Sequence, residues 1–222
     1  TALEQFHSAM AQDFVVKGAL MADAHTGYSL PIGAVIATKD VVVPAWVGYD
    51  IGCGVCAVRT SYTKEQIEAC ADDIFALIYE RIPVGFNTHN VVRRTSLERK
   101  LTGRSQEIFH KRGGWNHLGT LGGGNHFIEI GHDSDELVWV IVHSGSRGIG
   151  HGVGSEYMKL AHPEGKCKEG HYGFSTWDHL GQEYIQDMNW MLNFALMNRE
   201  HMIKSVVQCL KECTERDSIV DW

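Results

Sequence analysis

Apolar side chains at three- and four-residue spacing predict helices in four parts of the chain. At the start of the chain this spacing is shared by Leu3, Phe6, Met10 and Phe14. Thr63 and Gln66 have the spacing of a helix-capping box, so we predict a second helix that begins there and ends before Pro83. A third helix is predicted over residues 153–160, and a fourth, longer one over residues 180–212.

Short runs of β-branched residues predict strands between these helices. They lie at residues 35–38, 41–43 and 55–59, and a wholly apolar run at 137–142 is typical of a buried strand. This mixture predicts an α+β fold, in which mixed sheets of short strands are flanked by helices. The chain has no internal repeat and no linker-like segment, so we expect a single domain over residues 1–222.

The composition is that of a globular protein. Apolar types make up 44% and charged types 21% of 222 residues, enough to bury a core. The net charge of −7 argues against broad, nonspecific binding of nucleic acid. Residues 93–112 reverse this balance locally, with seven basic residues against two acidic ones. They form either a solvated charged face or a strip that binds a polyanion.

The cysteines and the apolar runs bear on where the protein resides. Six cysteines at irregular spacing do not resemble a disulfide framework, which favours reduced thiols and a cytoplasmic location. No apolar run is long enough to span a bilayer, so we expect no membrane partner.

The first candidate site is a glycine-flanked turn at residues 48–54. Asp50 and Cys53 stand three positions apart there, on a backbone that glycines make adaptable. A carboxylate oxygen and a thiolate sulfur together suit a borderline divalent metal such as Zn, Mn, Fe or Co. Cys53 also forms a CxxC pair with Cys56, for which a redox role stays open. The strand-like sequence that follows favours a buried, inert Cys56 instead.

The second candidate site follows a glycine run at residues 119–124. After His126, the residues Phe127 and Glu129 alternate with Ile128 as they would on a strand. The glycine run either lets backbone N–H groups approach a phosphate or base closely, or is a plain turn into the strand.

The third candidate site follows the apolar run at 137–142. His143 ends that run and precedes a Ser-Gly-Ser-Arg turn. The N–H groups of this turn and the Arg147 side chain favour an anionic group. A looser set of three histidines and one cysteine matches no zinc template, and we predict a surface loop for it: His162, Cys167, His171 and His179.

Familiar nucleotide and hydrolase motifs do not occur in the sequence. Neither a Walker A motif nor the Rossmann glycine spacing is present, and H-E-x-x-H and G-x-S-x-G are missing as well. A simple P-loop NTPase, dehydrogenase, zincin or hydrolase is therefore disfavoured.

Four motifs, taken in order, resemble the RtcB family of GTP-dependent RNA-splicing ligases. They are Met21-Ala22-Asp23-Ala24-His25-Thr26-Gly27, Val47-Gly48-Tyr49-Asp50-Ile51-Gly52-Cys53-Gly54, residues 119–129, and His143-Ser144-Gly145-Ser146-Arg147-Gly148. The resemblance covers nearly the whole chain, including residues 181–199. It implies an RtcB-like fold and a ligase that joins RNA 3′-phosphate or 2′,3′-cyclic phosphate ends to 5′-hydroxyl ends, in tRNA splicing or RNA repair.

The resemblance also implies two manganese ions, Mn(II), as cofactors. By position, Cys53 would bridge the two ions, and Asp50 and His126 would complete the protein ligands of one of them. His143 would bind the other ion together with a further histidine of the family.

GTP is the other implied cofactor. The residues expected to contact the guanine nucleotide are Asn125, His126, Phe127, Ile128 and Glu129. Among them, Asn125 would lie near a phosphate and Glu129 on the base. Arg147 would bind an RNA phosphate near the junction.

The family's reaction requires a histidine that this chain does not match. Family enzymes attach GMP to that histidine and transfer it to the RNA 3′-phosphate, and the 5′-hydroxyl then expels it. The guanylylated histidine and the further metal ligand lie beyond the matched region. Four histidines of this chain do not stand in the family's motif context: His162, His171, His179 and His201. We therefore expect the chain to be the N-terminal portion of a longer ligase, with the guanylylated histidine beyond Trp222, and to be inactive alone.

The expected partners are RNA with 3′-phosphate and 5′-hydroxyl ends, GTP and an activating protein. Two other function classes stay open. One is a catalytically inactive RNA-binding relative, and the other is a metal-dependent phosphoesterase built on the same ligands.

Overall fold

The computed structural model describes residues 1–91, 97, 100–217 and 219–221. Helices and short antiparallel strands share the chain, which confirms the predicted α+β class. The helices are α1 (Ala2–Met10), α2 (Pro44–Val47), α3 (Lys64–Glu68), α4 (Ala71–Arg81), α5 (Gly103–Lys111), a 3-10 turn (Gly114–His117), α6 (Arg147–Ala161) and α7 (His179–Thr214). The strands are β1 (Val15–His25), β2 (Ile32–Thr38), β3 (Val41–Val42), β4 (Gly54–Thr63), β5 (Phe127–His132), β6 (Leu137–Ser144), β7 (Phe174–Ser175) and β8 (Val220–Asp221).

The chain forms two compact units, each built from three chain segments. Unit 1 comprises Thr1–Ile51, Arg99–Ile108 and Ile149–Trp190. Unit 2 comprises Gly52–Glu98, Phe109–Gly148 and Met191–Trp222. Because the segments interleave along the sequence, no single linker separates the units. Among the described residues, no helix combines the length and apolarity needed to cross a membrane.

Unit 2 contains a four-stranded antiparallel sheet in the order β5-β6-β4-β8. Alternation along β6 buries Val138, Val140 and Val142, while His143 lies on the opposite face. The inner face packs against α3, α4 and the second part of α7, which supply the other core residues: Ile67, Ile74, Met202, Ile203, Val206 and Leu210. Burial of this inner face is what sets the register of the strands.

The predicted capping box starts α3 in unit 2. The Thr63 side chain accepts a hydrogen bond from the Gln66 N–H, and the Gln66 side chain accepts one from the Thr63 N–H. The predicted single helix is instead two, because the α-helical turn breaks at Cys70 before α4 begins. α4 ends at Arg81, before Pro83, as predicted.

Unit 1 contains the β1–β2 hairpin, the short β3–β7 pair and most of α6. At its centre, Asp187 is fully buried. Its carboxylate accepts hydrogen bonds from the Thr102 N–H and hydroxyl and from the hydroxyls of Ser105 and Tyr157. These four donors offset the free-energy cost of burying the carboxylate.

Three sequence predictions and one omission concern unit 1 and the basic strip. Phe14 lies outside α1, which ends at Met10. β1 was not predicted, because apolar residues such as Val16 and Met21 are exposed along it and the usual alternation is lost. His162 is buried against the Tyr172 ring, so the prediction of a surface loop is wrong for this residue. Three basic residues of the 93–112 strip lie outside the described residues: Arg93, Arg94 and Arg99.

Candidate metal centre

The register of the sheet in unit 2 brings two of the predicted motifs side by side. His143 on β6 pairs with Phe127 at the start of β5 and with Val55 near the start of β4. Cys53 comes directly before β4, and His126 comes directly before β5. Both therefore lie at the same end of the sheet as His143.

Three potential ligand atoms converge at this end of the sheet. Cys53 Sγ lies 3.2 Å from His143 Nε2 and 3.6 Å from His126 Nε2. The two imidazole rings lie 5.5 Å apart between centroids, in an edge-to-face arrangement. The Cys53 side chain is exposed. One sulfur and two ring nitrogens thus face a shared, solvent-accessible point.

The backbone sets the tautomer of both histidines. His126 Nδ1 donates to the Leu121 carbonyl oxygen at 2.9 Å. His143 Nδ1 donates to the Asn125 carbonyl oxygen at 3.1 Å. A carbonyl oxygen only accepts, so in each ring the proton sits on Nδ1 and the lone pair on Nε2. Metal-bound histidines commonly have this arrangement, in which the outer N–H is held by a carbonyl group.

Asp50 lies at the end of the first segment of unit 1 and is half-buried. It precedes Cys53 by only three residues, so the chain itself limits their Cα atoms to a separation of roughly 11 Å.

The predicted nucleotide segment presents alternating faces. Asn125, Phe127 and Glu129 are exposed, and the Phe127 ring contacts the His143 ring at 5.4 Å between centroids. Ile128 lies on the opposite face and packs against the core of unit 2. Only the main chain of Ile128 is available to a ligand that lies on the outer face.

Arg147 lies at the turn after β6 and is held by the second glycine-rich segment. Its Nε donates to the Thr120 hydroxyl at 3.1 Å, and its Nη2 donates to the Gly85 carbonyl at 3.0 Å. Its φ of 63° places a non-glycine residue in the left-handed region. Such strain concentrates at functional sites because the surrounding structure must hold it.

Gly122 makes room for the Arg147 guanidinium. A Cβ at this position would lie 1.9 Å from Arg147 Nη1, and the φ of 92° also favours glycine. The glycine run is thus more than a plain turn, because one of its members is required by the packing of an arginine.

The turn after His143 carries a concentration of positive charge. Arg112 Nη1 donates to the Gly148 carbonyl at 2.9 Å, and the Arg112 main-chain carbonyl accepts a hydrogen bond from His117 Nε2 at 2.6 Å. Burial lowers the pKa of His117, and the positive charges of Arg147 and Arg112 lower it further. The neutral imidazole adds no charge of its own, so the two guanidinium groups supply the attraction for an anion.

The structure favours the inert interpretation of Cys56. Cys56 lies on the inner side of β4, where it packs against the core, and its Sγ accepts a hydrogen bond from Arg199 Nε at 3.2 Å. Cys53 and Cys56 are both free thiols. The two thiols of the CxxC pair thus have different environments, because Cys53 is exposed and Cys56 packs against the core.

Two residues near the site were missed by the sequence predictions. Asn198 and Arg199 lie in the middle of α7, and both are buried. Their side chains bond to the backbone beside the candidate ligands. The sequence offered one signal for them, because an amide and a guanidinium stand next to the apolar stripe of a long predicted helix. A polar side chain that is buried in such a position requires a hydrogen-bond partner.

Comparison with known proteins agrees with the motifs. The family model described as tRNA-splicing ligase RtcB matches residues 5–221. The RNA-splicing ligase RtcB of Escherichia coli K12 is 32% identical over 240 residues, which is 97% of this chain and 59% of that protein. The tRNA-splicing ligases RtcB of Pyrobaculum aerophilum and Thermococcus kodakarensis are each 28% identical, over 87% and 89% of this chain. The chain spans between 51% and 59% of the lengths of these relatives.

Proposed function

The chain belongs to the RtcB family, and from that premise we propose that it forms the metal- and nucleotide-binding part of a GTP- and manganese-dependent RNA ligase. The reaction joins a 3′-phosphate or 2′,3′-cyclic phosphate end of RNA to a 5′-hydroxyl end. The observation that carries the proposal is the convergence of Cys53 Sγ with the Nε2 atoms of His126 and His143.

The residues present fit a divalent transition metal. Both histidines have their Nε2 lone pairs directed at the sulfur, because their Nδ1 protons are held by carbonyl oxygens. A thiolate, two imidazoles and the carboxylate of Asp50 form a mixed set of soft and hard donors, which manganese accepts. In the proposal, Cys53, Asp50 and His126 would hold one ion, and Cys53 and His143 would hold the second.

The remaining residues of the centre bind and orient the substrates. The outer face of β5 offers Phe127 for contact with a nucleotide and Glu129 for hydrogen bonds to a guanine base, with Asn125 beside the phosphates. Arg147, held by Thr120 and Gly85, places positive charge where an RNA phosphate approaches. When bound, the metal ions would offset the charge of adjacent phosphates and aid the attacking oxygen.

The proposal assigns the covalent attachment of GMP to a histidine outside this chain. A 3′-phosphate monoester is a poor electrophile, because its oxygen is not an activated leaving group. Transfer of GMP to that phosphate creates a leaving group that the 5′-hydroxyl can displace. The chain described here contributes the ligands and the nucleotide surface, and the full-length protein would be needed for turnover.

The test is incubation of the full-length protein with labelled GTP and Mn(II), followed by RNA with 3′-phosphate and 5′-hydroxyl ends. We expect an acid-labile protein–GMP adduct and joined RNA, and neither product with the 222-residue chain alone. RNA binding without an adduct would instead indicate a catalytically inactive relative. Phosphate release without GTP would indicate a metal-dependent phosphoesterase.

A further inference from the structure

Three backbone segments carry the candidate ligands, and one helix touches all three. Gly52 precedes Cys53, Ser144 follows His143, and Leu121 supplies the carbonyl that orients His126. These segments are far apart in the sequence, and Cys53 and His126 lie just before β4 and β5 rather than within them. The register of the sheet aligns the strands, and the turns that present Cys53 and His126 depend also on contacts outside the sheet ladder.

Arg199 of α7 bonds to two of these segments at once. Its Nη1 donates to the Gly52 carbonyl at 2.7 Å and to the Ser144 carbonyl at 2.7 Å. Its Nε donates to Cys56 Sγ at 3.2 Å. Only 8% of Arg199 is exposed, and within the described part of the chain these partners include no carboxylate. A buried cation is retained here by hydrogen bonds to the backbone that flanks the ligands.

Asn198 bonds to the remaining segment. Its Oδ1 accepts hydrogen bonds from the N–H groups of Gly119 and Thr120 at 2.7 and 3.1 Å. Its Nδ2 lies within 3.2 Å of the Gly145 carbonyl and 3.3 Å of the Ser144 hydroxyl. Asn198 is completely buried, so water does not compete for these bonds.

The Ser144 hydroxyl extends this network to a candidate ligand. It donates to the Leu121 carbonyl at 2.9 Å, the same oxygen that accepts the Nδ1 proton of His126. A continuous chain of hydrogen bonds thus links the Asn198 amide to the His126 ring. Such networks stabilise one arrangement when every member has a partner.

The packing of α7 against the Gly52 turn supports the same conclusion. A Cβ on Gly52 would lie 2.8 Å from the Ala195 Cβ and 3.2 Å from the Leu192 Cα. Leu192, Ala195 and Arg199 follow one another at three- and four-residue spacing, so they share one face of the helix. That face holds the turn that presents Cys53.

We propose that Asn198 and Arg199 are positioning residues, which hold the three ligand-bearing segments in the geometry that binds metal. The proposal rests on the proposed function, since it assumes that Cys53, His126 and His143 bind an ion. Neither residue touches the ion or the substrate in this proposal. Partners of this kind typically change metal affinity by about 10- to 100-fold when they are altered.

The experiment uses Co(II) as a spectroscopic probe of the folded chain, because a cobalt–thiolate bond gives a charge-transfer band. Arg199→Lys keeps the positive charge but removes the fork that spans Gly52 and Ser144. We expect it to need at least about tenfold more Co(II) than the unaltered chain to reach half-saturation of the band. Arg81→Lys is the matched control, because Arg81 also donates to a cysteine sulfur in unit 2, that of Cys209.

A second variant keeps the proposal testable if Arg199→Lys does not fold. Asn198→Asp keeps the size and the acceptor oxygen but removes the donation from Nδ2 to Gly145, Ser144 and the Thr120 carbonyl. We expect a loss of affinity in the same direction. Circular dichroism and thermal unfolding identify which variants are folded. If the folded variants titrate as Arg81→Lys does, the two residues support only the fold and the proposal is wrong.

The same titration separates this proposal from the proposed function. If the unaltered chain gives no band, or if Cys53→Ser keeps it, the metal site itself is wrong and both proposals fail. If the band is present and depends on Cys53 but is indifferent to Arg199 and Asn198, only the positioning role is wrong.

Discussion

The sulfur of Cys53 is the residue-scale feature on which the candidate centre depends. It lies directly before β4 with an exposed side chain, whereas Cys56, three residues later, packs inward. A thiol that faces two Nε2 lone pairs has no packing role to explain its position. The proposed metal site would account for it, because a thiolate between two imidazoles is a set of ligands rather than a hydrophobic contact.

For Cys53→Ala in the full-length protein, we expect RNA joining to fall by at least about 100-fold, because no other soft donor in the centre replaces the sulfur. RNA ligation and circular dichroism measure the change and the fold. Cys70→Ala is the control, since the Cys70 thiol donates to the Gln66 carbonyl in α3. Cys56→Ala tests the CxxC alternative, and an equal loss of joining in that variant would favour a redox pair over a metal site.

Gly122 provides the second residue-scale prediction. Gly122→Ala places a Cβ 1.9 Å from Arg147 Nη1 at a φ of 92°. We expect the free energy of unfolding to fall by about 1–3 kcal/mol and RNA affinity to decrease, because the guanidinium must move. Urea unfolding and RNA-binding titrations measure the two effects.

Gly123→Ala is the control for this prediction. Its φ is not in the left-handed region, and its Cβ would meet only the Gly85 Cα, at an ordinary 3.8 Å. Equal behaviour of the two variants would show that the glycine run is a plain turn with no special role for Arg147.

At the scale of elements, the hairpin between β5 and β6 holds the two histidine-bearing segments in register. Asp133 closes this hairpin, since its carboxylate accepts hydrogen bonds from the Leu137 N–H, the Trp139 indole and Arg59 Nε. The bond from Trp139, followed by those from Leu137 and Arg59, lowers the pKa of Asp133 to about 2. The ionised carboxylate is thus favoured in the folded chain.

The lowered pKa of Asp133 predicts a pH dependence of stability. Because the folded value of about 2 lies below the ordinary value of 3.8, Asp133 stabilises the fold above the ordinary pKa. This contribution is lost as the pH falls toward 2. We expect Asp133→Asn to lower the urea midpoint at about pH 6. The difference in midpoint from the unaltered chain should shrink as the pH falls below about 4.

Asp135→Asn is the control for this prediction, because the Asp135 carboxylate that pairs with Arg59 is largely exposed. A difference that stays constant with pH would contradict the assignment.

The helical elements show where local sequence was sufficient. The capping box at Thr63 and the long apolar stripe of α7 are local patterns, and both were predicted correctly. The break at Cys70 was not, because the apolar spacing of Ile67, Ala71 and Ile74 continues through it. Apolar periodicity reports which residues face the core and does not report a short interruption of the backbone.

At the scale of the whole molecule, metal binding should be coupled to the stability of the chain. The ligand-bearing segments converge only when unit 2 is folded, so a bound ion favours the folded state. We expect Mn(II) to raise Tm, by an amount equivalent to about 2.7 kcal/mol when its concentration is 100 times Kd. A chelator should reverse the effect, and Mg(II) should produce a smaller one, because it disfavours sulfur. An equal rise for Cys53→Ala would contradict the coupling.

The sequence by itself determined the local features of this protein. The strand at β6, the helices α6 and α7, and the proximity of Asp50 to Cys53 all follow from neighbours along the chain. The motifs also determined the family, because four ordered segments of unusual composition are jointly specific. β1 escaped prediction, since its apolar residues are exposed and leave no alternation to detect.

Only the tertiary structure decided how the centre is assembled. Cys53 is separated from His126 by 73 residues and from His143 by 90, and no local rule places their atoms within 3.6 Å of one another. The register of β4, β6 and β5 does so, because burial of the inner face allows only one alignment of the strands. The buried hydrogen bonds of Arg199 are likewise determined only by the tertiary structure. The role of a charged residue on the apolar face of a helix becomes evident only when the folded structure shows which turns its side chain contacts.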